Sequence, residues 1–553
     1  MTHWRLVMVQ RWIVVAGLVL FMVSGVSAGP AAAQESQPDA SGHASRYEVY
    51  PLTPVSSVHR VTINGEEVLY MATAEMTPLV GEDYEPDARV FTISYRRLLR
   101  EPTAQELAFP RGSVVVGVPS GPQDAPNDLF PDPSTRPITF SFNGGPGSSS
   151  VWLHMGLFGP KRVSYADEAG LPGPPPYAAI ENAYSLLDKS DFVFIDPVST
   201  GYSRAAVDDD GKTDAKPYHG VESDVASVAE VIRRHLAREG RWASPKYIAG
   251  ESYGTTRAAA LSEHLWGRHN VALNGIILVS AVMDFGTIRF NAGHDLPYVC
   301  FLPTYTAVAH YHGKLGEPYA GMPVADAVAA SERTALGMYA SALMQGDGLT
   351  GEERSRVAET LSGLTGLSAE FIQRSNLRVS MSRFAKELLR DEGRTVGRFD
   401  GRFLGLDRDD AGESYSYDAS HAAIRANYTE SFNGYVREEL GWRSDLPYEI
   451  LTSVWPWDYG SAGNNRFVNV AERLRNAMHQ QPHLRVFLAS GYYDLATPHL
   501  GADYTVGHMF IGEERRENLE THYYEGGHMM YLHEPSLGAL KADLDAFYDA
   551  GGE

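Results

Sequence analysis

Short apolar runs alternate with longer amphipathic segments through the middle of this chain. The apolar runs lie at residues 138–142, 192–195, 247–249, 276–279 and 486–489. Between them, residues 222–238 and 255–265 carry apolar side chains at helical spacing. Short strands that are apolar on both faces are typical of a parallel sheet covered by helices on both sides. The pattern therefore predicts an α/β fold with a central, mostly parallel sheet flanked by helices.

The beginning of the chain has a different β pattern. Residues 60–63 and 68–71 are strand-like and flank Asn64-Gly65, a pair that favours the positive φ angles of a tight hairpin turn. Further β-like stretches lie at residues 90–95 and 113–118. We therefore expect an antiparallel leading edge on the parallel sheet.

Residues 284–451 interrupt the alternation, and no sheet strand is evident in them. Helical periodicity dominates at residues 324–344, 351–360 and 369–389. A helical cap inserted between two sheet strands explains both facts, and the alternative is a separate helical domain with its own function. The predicted organisation is a signal peptide (1–28), a flexible segment (29–46), the first part of the α/β core (47–283), the helical cap (284–451) and the second part of the core (452–553).

The N-terminus predicts export. Arg5 and Arg11 precede an apolar run at residues 12–23, which is followed by small residues up to Ala28 and Ala33. This is the pattern of a secretory signal peptide, and either alanine suits the cleavage site. The alternative is an uncleaved anchor, but the run is shorter than the ~20 residues of a spanning helix. We expect a periplasmic or secreted protein with no stable membrane association after cleavage.

Composition limits the partners and cofactors. The formal net charge of −22 argues against nucleic acid as a partner, because phosphate binding needs clustered Lys and Arg. The single cysteine, Cys300, lies in an apolar stretch and is predicted to be a buried, inert thiol. Neither a zinc-type His or Cys spacing nor a phosphate-binding loop is present in the sequence, so no metal and no cofactor are expected.

A serine lies on a glycine-bounded turn between a predicted strand and a predicted helix. Residues 250–254 read Gly-Glu-Ser-Tyr-Gly. In this context the G-x-S-x-G pattern is typical of a nucleophile elbow, in which the serine hydroxyl stands above the carboxyl edge of the sheet. Ser252 is therefore the predicted nucleophile of an α/β-hydrolase fold, and the alternative is an ordinary turn with a capping serine.

The serine needs a general base, and the base needs an orienting carboxylate. With this elbow the expected chain order is Ser, then Asp or Glu, then His. Asp494 follows the apolar run 486–489, and His528 follows a Gly-Gly turn directly after a β-like stretch. Competing residues nearby are His499, Asp503, His508, His522 and His533. Position in the fold favours Asp494 and His528.

Backbone N–H groups are expected to bind the developing oxyanion. One donor is the N–H of Tyr253, which follows the nucleophile. The second is expected from residues 142–147, a Gly-rich loop that leaves the apolar run 138–142. The alternative is that this loop is an ordinary turn.

Four segments together resemble the serine carboxypeptidase family. They are Asn-Gly-Gly-Pro-Gly-Ser-Ser-Ser at 143–150, Asp-Pro-Val-Ser-Thr-Gly-Tyr-Ser at 196–203, the elbow at 250–254, and Gly-Gly-His-Met at 526–529. The resemblance extends from about Thr62 to Leu540 and is weakest in the cap. Within the cap, residues 374–378 and 393–397 resemble a bacterial branch of the family.

The resemblance implies hydrolysis of peptides that have a free C-terminus. It also implies the site residues: the triad Ser252, Asp494 and His528, the oxyanion-hole donors Gly145 and Tyr253, and the carboxylate-binding residues Asn143, Gly144 and Glu251. Glu251 has to be protonated to donate a hydrogen bond to a carboxylate, because two close like charges do not both stay ionised. Activity is therefore expected to favour acidic or neutral pH, above the range in which His528 is protonated.

Three positions depart from the family pattern. Ser141 stands where relatives have a tryptophan, Leu157 where they have a second glutamate, and Ser148 where they have a cysteine. The first two weaken the expected carboxylate site and leave the triad unchanged. Two alternatives therefore stay open: an esterase or acyltransferase that uses the same triad, and an exported binding protein that has lost catalysis.

Overall fold

The computed structural model describes residues 53–80, 86–103, 106, 128–165, 172–207 and 212–551. The predictions of a signal peptide at 1–28, a flexible segment at 29–46 and a strand at 113–118 lie outside these residues. None of the helices in the described ranges combines the length and the apolar character that a membrane span requires.

Ten strands of the described chain form one sheet in the order β1-β2-β3-β7-β4-β9-β10-β13-β14, with β8 paired to β3. Its strands are β1 Val55–Ile63, β2 Glu66–Val80, β3 Pro86–Arg97, β4 Ile138–Phe142, β7 Asp191–Ile195, β8 Arg204–Ala205, β9 Lys246–Glu251, β10 Gly275–Val279, β13 Arg485–Gly491 and β14 Leu519–Tyr524. Two small ribbons pair β5 Lys161–Arg162 with β6 Ile180–Glu181, and β11 Thr395–Val396 with β12 Leu404–Gly405.

The sheet has the predicted character. From β7 to β14 neighbouring strands in the sheet are parallel. In contrast, β2 is antiparallel to its neighbours β1 and β3, and β3 is antiparallel to β7. The hairpin between β1 and β2 turns at Asn64 and Gly65, with φ angles of 51° and 81°. The expected α/β fold with an antiparallel leading edge is confirmed.

Helices cover the sheet and make up most of residues 284–451, the segment that we call the cap. The α-helices are α1 Val151–Leu153, α2 Val221–Arg238, α3 Tyr253–His269, α4 Leu296–Tyr311, α5 Val324–Thr334, α6 Ala340–Gln345, α7 Gly351–Thr365, α8 Ala369–Arg374, α9 Met381–Glu387, α10 Ala419–Gly434, α11 Gly460–Gly463, α12 Ala471–Gln480, α13 His499–Gly507, α14 Glu513–Arg516 and α15 Glu534–Ala550. Single π-helical turns lie at His154–Phe158, Ala335–Tyr339 and Tyr435–Glu439. Single 3₁₀ turns lie at Lys216–Tyr218, Phe285–Thr287, Gly346–Gly348, Arg390–Glu392 and Met530–Leu532.

The two faces of the sheet belong to two different cores, which explains why the central parallel strands are mostly apolar. In β9, Ile248 packs in the core that also contains buried residues of α2, α3 and α12. Its neighbours Tyr247 and Ala249 pack in the core that also contains buried residues of α10 and α15. Successive side chains of a strand point to opposite faces, so a strand between two cores needs apolar residues on both faces.

Between β10 and β13 the chain forms helices, the ribbon β11–β12 and a third apolar core, and none of these elements joins the central sheet in the described structure. The helical periodicity of residues 369–389 corresponds to two helices, because α8 ends at Arg374 and α9 begins at Met381. Asn376 and Leu377 adopt left-handed conformations, with φ angles of 51° and 63°, which no helix can continue through. The apolar periodicity carries no sign of this break.

Candidate active site

The carboxyl ends of four parallel strands meet at one edge of the sheet. The residues in register across β9, β10, β13 and β14 are Glu251, Val279, Ala489 and His522. Ser252 follows directly on β9, Asp494 lies in the loop after β13, and His528 lies in the loop after β14. The topology therefore directs the three predicted triad residues to the same edge of the sheet, where ligands bind in open α/β folds.

The turn at Ser252 has the strained geometry of a nucleophile elbow. Ser252 has φ 59° and ψ −129°, a left-handed conformation that is uncommon for a residue with a Cβ. Its N–H donates to the carbonyl oxygen of Val279 on β10 at 3.0 Å. Glycine is required on both sides: a Cβ on Gly250 would lie 2.2 Å from the Gly254 oxygen, and a Cβ on Gly254 would lie 2.9 Å from the Phe142 oxygen.

The Gly-rich loop after β4 lies against this elbow. A Cβ on Gly144 would lie 2.4 Å from the backbone nitrogen of Tyr253, so only glycine allows the loop to come so close. Gly145 has φ 104°, again a conformation that favours glycine. The loop thus brings Gly144 beside the backbone of Tyr253. Gly145 is the next residue of the same loop, and its role as an oxyanion-hole donor stays a prediction.

Asp494 and His528 form a buried pair. His528 Nδ1 lies 2.8 Å from Asp494 Oδ2, and both side chains are almost fully buried. Asp494 also accepts hydrogen bonds from the backbone N–H groups of Ala496 and Thr497, at 2.7 and 3.0 Å, and from the Thr497 hydroxyl at 2.7 Å. These donors hold the carboxylate in one orientation, so the imidazole Nδ1–H also has one orientation.

The competing residues have other partners. His499 Nε2 lies 3.1 Å from Glu332 Oε1, and His533 Nδ1 lies 2.7 Å from the Ser536 hydroxyl. Of the other three residues, His508 contacts the Tyr504 oxygen, His522 contacts Glu520 and Asp543, and Asp503 accepts from the Tyr523 hydroxyl. Of these histidines and His528, it is His528 that the structure pairs with Asp494.

The cap contributes to the environment of His528. The His528 N–H donates to the backbone oxygen of Phe399 at 2.5 Å, and the Phe399 ring stacks on the imidazole. On the core side, the Ser280 hydroxyl donates to the His528 carbonyl oxygen at 2.6 Å. Burial lowers the pKa of His528, but the neighbouring Asp494 carboxylate outweighs burial and raises it above the usual histidine value. The imidazole therefore accepts a proton readily, as a general base must.

Glu251 is a buried carboxyl beside the nucleophile. Burial raises the pKa of Glu251 to about 7, because the charged form loses its hydration, while the nearby His528 acts in the opposite direction. The Tyr531 hydroxyl donates to Glu251 Oε2 at 2.5 Å. Sequence reasoning missed Tyr531, Phe399 and Thr497. Tyr531 and Thr497 each lie three residues from a predicted triad residue, and this is the one sequence signal that could have drawn attention to them.

Two oxygens of Asn143 accept hydrogen bonds, and its side-chain nitrogen has no hydrogen-bond partner in the described structure. Its backbone oxygen accepts from the Arg257 guanidinium at 2.5 Å, and its side-chain oxygen accepts from the Leu153 N–H at 3.1 Å. The hydrogen bond to the side-chain oxygen determines the orientation of the amide, so Nδ2 is the side-chain atom that lacks a partner. Nδ2 lies near Glu251 and slightly lowers the pKa of that carboxyl, but within the described ranges it faces no acceptor with hydrogen-bond geometry.

The three departures from the family pattern lie in buried positions. Leu157 is fully buried in the apolar core beneath α10 and α15, so no carboxyl stands at the position of the family's second glutamate. Ser141 is also fully buried. The hydroxyl of Ser148 accepts a hydrogen bond from the Trp152 indole at 2.6 Å. Cys300 is buried and unpaired, and burial raises its pKa far above the usual thiol value, as expected for an inert thiol.

The sheet order and the strand–turn–helix elbow define an α/β-hydrolase, and the class of protein is serine hydrolase. Residues 126–293 match the family model of serine carboxypeptidases, so the chain is related to that family through this segment. Serine carboxypeptidase-like 36 of Arabidopsis thaliana is 30% identical over 173 residues, which are 30% of this chain and 33% of that protein. The chain thus spans about a third of the length of this relative. The bacterial branch stays a prediction.

Solved structures with matching folds have much lower identity. A carboxyl esterase from Bacillus coagulans is 12% identical, with 87% of this chain and 99% of that chain covered and a TM-score of 0.32. A soluble variant of monoglyceride lipase from Saccharomyces cerevisiae is 9% identical, with coverages of 92% and 98% and a TM-score of 0.30. Likeness at this level carries no argument about the reaction, and the fold class rests on the sheet order described above.

Proposed function

We propose that this protein is a serine-type carboxypeptidase, which hydrolyses the C-terminal peptide bond of peptides through an acyl-enzyme. The observation that carries the proposal is the pair of buried donors beside the nucleophile. Glu251 directly precedes Ser252 and has a pKa of about 7, and Asn143 offers an amide nitrogen with no acceptor among the described residues. Such donors suit a carboxylate, which accepts hydrogen bonds through both oxygens.

The proposed reaction proceeds in two acyl-transfer steps. The Ser252 hydroxyl attacks the scissile carbonyl while His528 Nε2 takes its proton, and Asp494 stabilises the imidazolium that forms. The N–H groups of Gly145 and Tyr253 donate to the oxyanion. His528 then gives its proton to the leaving amine, which departs as the C-terminal amino acid. Water deprotonated by His528 attacks the acyl-enzyme, and Ser252 recovers its proton.

Glu251 gives this scheme a pH dependence that an ordinary esterase would lack. Below about pH 7 the carboxyl is protonated and donates to the substrate carboxylate, alongside Asn143 Nδ2. Above that pH the carboxylate of Glu251 repels the substrate carboxylate. A substrate with no terminal carboxylate is neither bound by protonated Glu251 below this pH nor repelled by ionised Glu251 above it.

The test compares a blocked dipeptide that has a free C-terminal carboxylate with the same dipeptide as its C-terminal amide. Ser252→Ala serves as the background control, because it removes the proposed nucleophile and leaves the binding residues in place. We expect kcat/KM for the free acid to exceed that for the amide near pH 7, and activity on both to vanish in Ser252→Ala. Equal rates on both substrates would contradict carboxypeptidase action.

A second candidate, an esterase or acyltransferase with the same triad, is favoured by the fully buried Leu157 and Ser141. Leu157 has no polar group to offer, and Ser141 has a short hydroxyl where the family pattern has a tryptophan. This candidate predicts rapid turnover of a simple ester, poor turnover of both dipeptides, and transfer of the acyl group when an alcohol or amine is added. The dipeptide pair and the ester, assayed together, separate the two functions.

We also propose that the protein is exported and acts in the periplasm or outside the cell. The support is the basic, apolar and small-residue pattern of residues 1–33. Mass spectrometry of the mature N-terminus, with cell fractionation, tests this. A mature chain that begins after Ala28 or Ala33 is expected, and an intact N-terminus in the cytoplasm would contradict export.

A further inference from the structure

Tyr531 and Glu251 form a buried contact that the scheme above does not use. The two residues are 280 positions apart, and the Tyr531 hydroxyl lies 2.5 Å from Glu251 Oε2. Only 2% of Tyr531 and 3% of Glu251 are exposed. A hydroxyl that donates to a carboxylate makes a charge-assisted hydrogen bond, which is stronger than one between neutral groups.

The local structure holds Tyr531 in this place. It lies in the 3₁₀ turn Met530–Leu532, three residues after His528, so the proposed base and the partner of Glu251 belong to one short segment. Its ring packs against the π-helical turn His154–Phe158. A Cβ on Gly156 would lie 2.3 Å from Tyr531 Cε2, so glycine at this position makes room for the ring.

The direction of the hydrogen bond follows from the chemistry of the phenol. Burial raises the pKa of Tyr531 well above the usual tyrosine value, and the nearby Glu251 raises it further. The phenol therefore keeps its proton at every pH at which the enzyme would act. It donates that proton to Glu251 Oε2, and a proton on the Glu251 carboxyl then belongs on Oε1.

We propose that Tyr531 is a positioning residue that holds Glu251 Oε2, directs the proton of Glu251 to Oε1, and so presents an O–H donor to the C-terminal carboxylate of the substrate. The inference rests on the proposed carboxypeptidase function and names the residue that sets the upper pH limit of carboxylate recognition. In this chain a phenol, rather than a second carboxyl, is the partner of Glu251.

The groups around Glu251 determine how its pKa changes when the Tyr531 hydroxyl is removed. Burial is the largest influence and raises the pKa of Glu251. His528, the Tyr531 hydroxyl and the Asn143 amide lower it, and Asp494 raises it. From the cap, the phenol of Tyr428 on α10 is within electrostatic reach. Loss of the Tyr531 hydroxyl removes a donor that stabilises the carboxylate, so the pKa of Glu251 has to rise.

The kinetic test uses Tyr531→Phe, which deletes the hydroxyl and keeps the ring that packs against Gly156. The matched control is Tyr428→Phe, since the Tyr428 hydroxyl is equally buried but has no hydrogen-bond partner in the part of the chain that the structure describes. In the wild type, KM for the free-acid dipeptide should rise above about pH 7. In Tyr531→Phe we expect KM to begin its rise at a pH about one unit higher, because Glu251 has lost one charge-assisted hydrogen bond.

The comparison among substrates and variants separates positioning from a structural role. A merely structural defect would change the free acid and the amide alike and would leave the shape of the pH profile unchanged. The same shift in Tyr428→Phe, or no shift in Tyr531→Phe, would overturn the inference.

A spectroscopic measurement tests the role of Tyr531 independently of the proposed carboxypeptidase function. Infrared difference titration reports the protonated carboxyl of Glu251 directly, and Glu251→Gln assigns its band. We expect the band to persist about one pH unit higher in Tyr531→Phe than in the wild type. If the wild type does not prefer the free acid, carboxypeptidase function fails, while the infrared shift still decides whether Tyr531 controls Glu251. An unchanged titration of the band would refute the role of Tyr531.

Discussion

The ring of Phe399 lies flat on the imidazole of His528, with centroids 5.0 Å apart and planes 12° apart. Phe399 belongs to the cap, and His528 belongs to the loop after β14. The backbone oxygen of the same cap residue accepts the His528 N–H at 2.5 Å. One cap residue therefore contacts both the ring and the backbone of the proposed base, so the cap helps to orient it.

Replacement of Phe399 by Ala is expected to lower kcat without a comparable change in KM, because the imidazole loses one of the surfaces that restrict its orientation. An aromatic pair contributes about 0.5–1.5 kcal/mol, which corresponds to a roughly 2- to 12-fold loss of rate. Phe290→Ala is the matched control, since Phe290 is a half-buried cap aromatic that contacts Tyr298 and Phe301. Equal losses in both variants would point to a general weakening of the cap.

Asp494→Asn should leave the fold intact and reduce kcat by about 10⁴-fold. The amide would favour the wrong imidazole tautomer, which could no longer accept the serine proton. The measurement is single-turnover acylation, together with labelling of Ser252 by a fluorophosphonate. Thr497→Val is a useful comparison, because it removes one donor to Asp494 and leaves the carboxylate present. Thr497→Val should lower kcat far less than Asp494→Asn does. A small effect of Asp494→Asn on kcat would exclude Asp494 as the orienting acid.

The pH profile of kcat/KM for a free-acid peptide should be bell-shaped. As pH falls through the raised pKa of His528, the base becomes protonated and activity is lost. As pH rises through about 7, Glu251 loses its proton and carboxylate binding is lost. Glu251→Gln donates at every pH, so its profile should lack the alkaline limb. A Glu251→Gln profile that keeps the alkaline limb would assign that limb to another group.

The central part of the fold follows from the sequence because its parallel strands are mostly apolar on both faces. The apolar runs predict these strands well, since a strand between two cores has apolar surroundings on both sides, as Tyr247 and Ile248 illustrate. The elbow could also be predicted from the sequence, because backbone contacts along a short stretch of chain require glycine at 250 and 254.

The parts that escaped prediction depend on contacts between distant segments or on single backbone angles. Tyr531 reaches Glu251 across 280 positions, and no local pattern distinguishes it from the other tyrosines. Phe399 is one aromatic residue in a cap whose packing the sequence does not reveal. The break at Asn376 and Leu377 arises from two left-handed residues inside a segment with helical periodicity.

The buried ion pair of Arg257 and Asp224 should be important for stability. Arg257 Nε donates to Asp224 Oδ2 at 2.7 Å, and Nη1 donates to the Asn143 oxygen, with both side chains fully buried. Arg257→Met should cost about 3–5 kcal/mol in the free energy of unfolding, because Asp224 is left buried and unpaired. Urea unfolding measures this cost. The double variant Arg257→Met/Asp224→Leu should recover part of it, and a double variant as unstable as the single one would contradict the explanation.

The close approach of Gly144 to the elbow predicts a loss of activity that exceeds the loss of stability. In Gly144→Ala the new Cβ would lie 2.4 Å from the Tyr253 nitrogen and 2.8 Å from the Glu251 oxygen, both of which are backbone atoms. The loop therefore has to move away, and it carries the Gly145 N–H with it. Loss of one oxyanion-hole donor costs about 10²–10³ in kcat.

Gly267→Ala is the matched control for this substitution. Gly267 lies near the end of α3, and a Cβ there meets no atom within 4 Å in the described structure. Alanine is about 1 kcal/mol better than glycine inside a helix, so this variant should be slightly more stable and fully active. Steady-state kinetics and thermal unfolding of both variants test the pair. A fully active Gly144→Ala enzyme would mean that the loop after β4 does not form the oxyanion hole.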